Sequence, residues 1–342
     1  HMTVVSDQPP DQTARPRAST RTPPGSSMTV RVGAPRPTRE GVMDGRHEAV
    51  PGVDLAERAE QAGLDSVWLG DSLTAKPRHD PITLMAAIAG RTKRVQLGTA
   101  VLLPLLRNPV VLAQQLATLD QISEGRSIIG IGIGSDLPSI RAELEAAGVP
   151  FEKRVGRIIE MFKLCRELWR GEPVTWDGRW TLRDQTLAPI PHTPGGPPIW
   201  AAGSVPASLK RCGRYFDGYF PSGPAESSVF AERFGSVVAH AKAEGRPADA
   251  ITGAAYLTMA IDDDAAKADA RLNAYLESYY NQPAAKLRSF QGTFTGSKNG
   301  ATDWLSGFAE AGATHFCVRI VGDHHANIDL AAEMRETLQK GG

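Results

Sequence analysis

The sequence predicts an α/β fold, a (β/α)8 barrel built from parallel strands. Three observations carry that expectation. Short apolar runs alternate with longer helical patterns from Thr29 onward, eight such runs occur, and 342 residues suit one barrel domain. The runs are Thr29–Gly33, Ser66–Leu69, Val95–Val101, Ser127–Ile133, Pro198–Ala201, Gly218–Pro221, Ile251–Ile261 and Thr314–Ile320. Helix-length segments lie between them, among them Val53–Ala62, Asp80–Gly90, Pro109–Glu124 and Phe151–Arg170. In the third of these, Asn108 supplies an N-cap oxygen and Pro109 takes the first helical position, where no amide donor is needed. Gly125 follows as a left-handed stop, and Leu112, Leu116 and Leu119 share the face that lies against a sheet.

The remaining composition excludes several classes. Lys+Arg and Asp+Glu balance at 38 each, so no global field draws the chain to nucleic acid or to an anionic membrane surface. No apolar run reaches the roughly 18 residues a membrane span requires. Cys165, Cys212 and Cys317 are scattered, with neither a disulfide framework nor a CxxC metal spacing, as expected of a reduced cytoplasmic protein. Residues 1–28 contain no aromatic, Leu or Ile and are broken by Pro9, Pro10, Pro16, Pro23 and Pro24. They read as a disordered tail rather than a signal peptide, with His1 a cloning remnant and Met28 an alternative start. The barrel is expected over residues 29–342, and a homodimer is the expected assembly.

Two segments interrupt the alternation. Residues 172–197 are proline-rich and turn like a short hairpin at Asp177-Gly178; residues 276–303 are polar and glycine-rich around Gly292–Gly300. Both carry aromatics, Trp176 and Trp180 in the first and Tyr279, Tyr280, Phe290 and Phe294 in the second. They read either as a lid over an apolar ligand or as rings packed beneath the loops or against a second subunit.

Three stretches, AERAEQAGLDSVWLGDS (Ala56–Ser72), RVQLGTAVLLPLLRNPVVLAQQLATLDQISEGRSIIGIGIG (Arg94–Gly134) and PPIWAAGSVPASLKRCGRYFDGYFPSG (Pro197–Gly223), each fall at strand ends. Together they resemble the luciferase-like flavin-dependent oxidoreductase superfamily, which includes bacterial luciferase and deazaflavin-dependent dehydrogenases. The similarity extends through GVPFEKR (Gly148–Arg154) and ELWRGEPVTWDGR (Glu167–Arg179). In a barrel of this kind, residues just past each strand build the site.

The turn after the fifth strand places Ala202, Gly203, Ser204 and Val205 before a helix starting near Pro206. Free backbone amides and the helix dipole make such a turn suited to a phosphate, or simply to an ordinary cap. The resemblance implies that it holds the phosphate of a flavin or deazaflavin. At the end of the third strand, Gly98, Thr99, Ala100 and Val101 are implied to form a bulge with a non-proline cis peptide against the cofactor ring, the alternative being a plain core strand. Asp71, past the second strand, either faces ligand, supports a group that does, or caps a helix. Ser72 stands where many relatives have a histidine. Ser135 and Asp136 follow the fourth strand and either line the pocket or cap the next helix. An arginine of bacterial luciferase is absent near Ile133, and a glutamate of sugar-phosphate dehydrogenases is absent near Ser135.

The eighth strand ends in RIVGDHH, which brings Arg319, Asp323, His324 and His325 to the same end of the barrel. His324 is the candidate proton donor, since imidazole titrates near neutrality. A metal site is not expected, because adjacent histidines on a loop point apart. Arg319 reads as a paired structural charge. The catalytic candidates are therefore Asp71 and His324. The expected function is oxidation of a small organic substrate with reduced FMN and O2, the flavin coming from a separate reductase. The alternative is hydride transfer with the deazaflavin coenzyme F420. A non-catalytic flavin-binding barrel and a phosphosugar barrel without redox chemistry stay open.

Overall fold

The computed structural model describes residues 30–35 and 37–340. The expected tail, residues 1–28, and Thr29 lie outside the described residues. Eight strands form the barrel: β1 (Arg31–Pro35), β2 (Ser66–Leu69), β3 (Gln96–Leu102), β4 (Ser127–Ile131), β5 (Ile199–Ala201), β6 (Gly218–Tyr219), β7 (Thr252–Ile261) and β8 (His315–Ile320). All neighbouring pairs are parallel, and β8 closes on β1 as Arg31 pairs with His315. The eight sequence runs are the eight strands, with ends displaced by a few residues. The β4 run stops at Ile131 because the chain there leaves the sheet.

Alternation along each strand divides the apolar residues into two layers. Val67, Ile129, Ile199 and Phe316 join the core under the helices, where Met85, Ile88, Leu112 and Leu116 meet them. Their neighbours Trp68, Ile128, Trp200 and Cys317 point into the barrel and form a separate cluster with Phe220 and Ala254. The Trp68 ring lies 4.9 Å from Phe220 and 5.7 Å from Trp200, and Trp200 meets Phe220 edge-on at 5.7 Å. Three rings of this size fit because the strands beside them carry no side chain at the contact. A Cβ on Gly98 would stand 2.0 Å from the Trp68 ring, and one on Gly218 would stand 2.3 Å from Trp200. Ala100 and Tyr256 pack against the upper side of this plug. The barrel axis is thus filled, and the cavity lined by the strand ends lies above it.

The helix Pro109–Ile122 begins as its sequence implies. The Asn108 side chain accepts from the amides of Val110 and Val111. Among the described residues, no helix is long and apolar enough to cross a membrane. The three cysteines are buried and none is in a disulfide among the described residues, and burial pushes the thiols of Cys165 and Cys212 up to about 12.

Both interruptions contain regular structure. Residues Val174–Asp177 and Thr181–Gln185 pair as an antiparallel hairpin outside the barrel. Glu160, on the helix Arg154–Leu168, fastens it by accepting from Trp176 Nε1 at 3.3 Å and from the Arg179 amide at 2.7 Å. The second segment holds the end of the helix Ala265–Tyr280, the helix Ala284–Arg288, the strand Thr293–Gly296 and the start of the helix Lys298–Glu310. The glycine-rich stretch that reads as a lid holds that strand, parallel to β7 with Thr293 opposite Thr258, and the first turn of the helix Lys298–Glu310. Its polar backbone finds ladder partners, and Phe294 stacks on Trp304 at 5.5 Å. Trp176, Trp180 and Phe294 therefore pack as satellites of the core, whereas Tyr279 and Tyr280 reach the site.

The plug gives a direct test. Gly98→Ala places a methyl group in the Trp68 ring and should destabilise the fold by about 1–3 kcal/mol, the usual range for overpacking. Denaturant unfolding should show a lower midpoint at an unchanged slope. A variant as stable as the wild type would mean that Trp68 is free to move aside.

Candidate active site

Above the plug, at the C-terminal ends of the strands, lies a cavity of about 610 Å³. Its walls come from the segments after β2, β3, β4, β5 and β6, with Tyr256 of β7, Arg319 of β8, and Tyr279 and Tyr280 from the helix Ala265–Tyr280. A smaller cavity of about 180 Å³ adjoins it and shares Gly70, Arg78, Ala100, Tyr256, Tyr279 and Arg319.

At β3 the register against β4 shifts between Thr99 and Leu102, and the Ala100–Val101 peptide is cis. Ala100 and Val101 line the larger cavity. Gly98 and Thr99 do not. Gly98 faces the Trp68 ring, and Thr99 is fully buried with its hydroxyl donating to the Gly130 carbonyl at 2.8 Å. The last two residues of the expected Gly98–Thr99–Ala100–Val101 set are in reach of a ligand, and the other two belong to the barrel below.

Asp71 lines the cavity, but its carboxylate is already engaged. Arg107 donates to it at 2.6 and 3.3 Å, and the Leu103 amide donates at 2.9 Å. The side chain is 2% exposed. Arg107 also meets Asp80 at 2.6 Å, so one guanidinium ties the β2 exit to the segment following the bulge. Asp71 therefore braces the wall and is not placed to exchange a proton with a ligand. Ser72 is equally committed. Its hydroxyl donates to Glu143 at 2.6 Å and accepts from the Lys76 amide at 2.8 Å. The same Glu143 oxygen accepts from the amides of Leu73 and Thr74 at 2.6 and 2.9 Å. This buried carboxylate winds residues 72–76 into a turn that delivers Lys76 and Arg78 to the cavity.

After β4, Ser135 lines the cavity as expected, beside Ile133 and Gly134. Asp136 is drawn away to Arg141 at 2.6 Å. Arg154, also on the wall, donates to the carbonyls of Ile133 and Gly134 and lies 3.8 Å from the Phe151 ring centroid.

The β5 turn precedes the helix Pro206–Tyr215. Ala202 lines the cavity, whereas Gly203, Ser204 and Val205 lie beyond its wall. The amides of Ser204 and Val205 both donate to one acceptor, Ser208 Oγ, at 3.1 Å. The Gly203 carbonyl is anchored by the Tyr219 hydroxyl at 3.0 Å. A neighbouring cleft of about 90 Å³ brings Ser208 and Arg211 together with Gly132 and Ile133.

At β8 the expectation of a paired structural charge fails. Arg319 is half-buried without a carboxylate partner among the described residues; it donates to the Tyr256 hydroxyl and to Tyr280 Oη at 3.1 Å. Its guanidinium carbon lies 4.8 Å from the Tyr279 ring and 5.0 Å from that of Tyr256. Lys76 Nζ sits 4.6 Å from the Tyr280 ring. Burial lowers the Lys76 pKa, and the positive charges of Arg39, Arg78 and Arg319 reinforce that direction. His324 begins the helix His324–Lys340 and lines the smaller cavity, not the larger one. His324 is separated from Asp71 by this division of the space. Sequence reasoning missed Lys76, Arg78, Tyr256, Ser208 and Arg211 as site residues. The basic pair in AKPRH, directly after a barrel strand, was the available signal.

Residues 30–340 match the luciferase-like monooxygenase family. The chain belongs to that family. A relative from Kineococcus radiotolerans named as an F420-dependent glucose-6-phosphate dehydrogenase is 35% identical over 246 residues, 68% of this chain and 71% of its own length. Relatives of the same name from Rhodococcus erythropolis and Amycolatopsis mediterranei are 35% and 41% identical over 206 and 174 residues. Those alignments span 58% and 49% of this chain and 60% and 51% of the relatives' own lengths. Among solved structures, an F420-dependent secondary alcohol dehydrogenase superposes with a TM-score of 0.75 at 23% identity, covering 90% of this chain and 98% of that one. A long-chain alkane monooxygenase superposes with a TM-score of 0.73 at 15% identity over 93% and 92% of the two chains. These two likenesses concern the fold. The family and its relatives identify an oxidoreductase.

The bracing role of Asp71 is testable. Asp71→Asn keeps the volume and removes the charge opposite Arg107. Breaking a buried pair costs about 3–5 kcal/mol, and the lower end is expected because Arg107 keeps Asp80. Chemical denaturation measures this; a loss below about 1 kcal/mol would return Asp71 to the list of catalytic candidates.

Proposed function

We propose that this luciferase-like oxidoreductase uses coenzyme F420 and moves a hydride between the deazaflavin and a small organic substrate. The observation that carries the reading is the shared name of the relatives at 35%, 35% and 41% identity, all F420-dependent. They favour the deazaflavin over reduced FMN, so the first expectation, monooxygenation served by a flavin reductase, gives way to its alternative.

The residues present fit such a cofactor. The cavity of about 610 Å³ is large enough for a flat ring and a small substrate. Ala100 and Val101 would back the ring, with Ile131 to Ser135 along one edge. The amides of Ser204 and Val205, aimed at a single acceptor position at a helix start, would hold the phosphate together with Ser208, and Arg211 lies beside them. When bound, the deazaflavin supplies a two-electron hydride carrier that does not activate oxygen.

The protein's own part is positioning, exclusion of water and one proton. Hydride movement at an alcohol or carbonyl carbon needs a proton at the adjoining oxygen. Tyr280 lines the cavity and accepts from Arg319 at 3.1 Å, which turns its own hydroxyl proton toward the open space. It takes over the role first assigned to Asp71 and His324. Glucose 6-phosphate, named for the relatives, is not carried over, since Ser135 occupies the region of the dehydrogenase glutamate.

Equilibrium titration with F420, FMN and reduced FMN, for the wild type and Gly203→Glu, tests the reading. F420 should bind at least tenfold more tightly than either FMN form, about 1.4 kcal/mol. A Cβ at Gly203 would stand 2.6 Å from Ser208 Oγ, so the variant should lose at least tenfold in F420 affinity while keeping its far-ultraviolet circular dichroism. Tighter binding of reduced FMN would restore the monooxygenase reading.

A further inference from the structure

The wall formed by the β2 exit, β8 and the helix Ala265–Tyr280 carries more positive charge than its surroundings answer. Lys76, Arg78 and Arg319 line the larger cavity on this side, and Arg39 stands behind them with its guanidinium carbon 4.5 Å from the Tyr279 ring. Among the described residues, none of these four forms an ion pair with a carboxylate. Their partners are neutral: tyrosine rings, tyrosine hydroxyls and backbone carbonyls, such as that of Lys76, to which Arg78 donates at 3.1 Å. The two acidic side chains on these cavities are engaged elsewhere. Asp71 is held by Arg107, and Glu40 accepts from the Tyr275 hydroxyl at 3.2 Å.

Collecting four like charges in partly buried space is unfavourable unless an anion joins them. Tyrosine faces attract a cation only modestly, about 0.5–2 kcal/mol each, and cannot neutralise it. The backbone invests in the arrangement nonetheless. Glu143 and Ser72 fix the turn that carries Lys76 and Arg78, and β8 presents Arg319 from the barrel wall.

We infer that Lys76, Arg78 and Arg319 form an oxyanion subsite, and that the substrate carries a carboxylate or phosphoryl group seated against them. This deepens the proposed function and rests on it, because the deazaflavin is placed on Ala100 and Val101 with its phosphate at the β5 turn. β2 and β8 lie on either side of β1, several strands around the barrel from β5, so the two anion sites are distinct. The substrate anion would lie beside Tyr280, with its reacting oxygen near that hydroxyl. Both oxyanion classes accept hydrogen bonds from guanidinium and ammonium groups, and the two arms of the test separate them.

Isothermal titration at low ionic strength, with inorganic phosphate in one arm and acetate in the other, is run on the wild type, Lys76→Gln and Arg319→Gln. F420 affinity is measured separately on each protein. The expected result is binding of at least one oxyanion to the wild type, weakened tenfold or more in each variant, with F420 affinity of Lys76→Gln within about twofold of wild type. If Arg319→Gln does not fold, Lys76→Gln decides. Absence of oxyanion binding, or binding indifferent to the substitutions, overturns the inference. An equal loss of F420 affinity in Lys76→Gln also overturns it, since the cations would then serve the cofactor. Failure of wild-type F420 binding with oxyanion binding intact sinks the proposed cofactor and leaves the subsite standing.

Discussion

The packing of Trp68, Trp200 and Phe220 inside the barrel is the constraint on which the remaining architecture depends. These rings occupy the axis only because Gly98 and Gly218 present bare backbone to them. Filling the axis raises the floor of the molecule to the level of Ala100 and Tyr256. The chemistry is thereby confined to the loops at the C-terminal ends of the strands. It also accounts for the glycine in the LGTAV stretch, whose absent side chain serves the plug beneath the ligand space.

Above that floor the polar groups sort into two kinds. Some are satisfied internally and hold the walls: Asp71 with Arg107, and Glu143 with the turn at residues 72–75. Others have, among the described residues, only neutral partners, foremost Arg319 and Lys76 among the tyrosines. Fully paired groups fix geometry, and unanswered charge marks where a ligand is received. A hydride-transfer site needs both, since the ring must be held flat while the substrate is oriented against it.

The fold was legible because parallel barrel strands are buried on both faces, and therefore appear as apolar runs bounded by turns. The site was legible only in part. Ala100, Ser135 and Ala202 lie on the cavity wall, a place that follows from strand ends alone. Gly98 and Thr99 belong to the barrel below, the Asp71 carboxylate on the wall is taken by Arg107, and His324 lines the adjoining cavity, because the direction and partner of a side chain depend on neighbours distant in sequence. Asp71 meets Arg107, and Arg319 meets tyrosines from β7 and from the helix Ala265–Tyr280. The segment at residues 276–303 misled for a related reason. Glycine and threonine read as loop formers, yet β7 is long enough to offer the strand Thr293–Gly296 a partner.

The central claim is one of placement: a deazaflavin on the β3 bulge, its phosphate at the β5 turn, and the cationic tyrosine wall left for substrate. A crystal structure of the full chain with F420 bound measures that placement directly. The account predicts the ring against Ala100 and Val101, the phosphate within hydrogen-bonding distance of the Ser204 and Val205 amides, and no cofactor atom on Lys76 or Arg319. A cofactor whose anionic tail lies against Lys76 and Arg319, or whose ring sits away from the bulge, would contradict it.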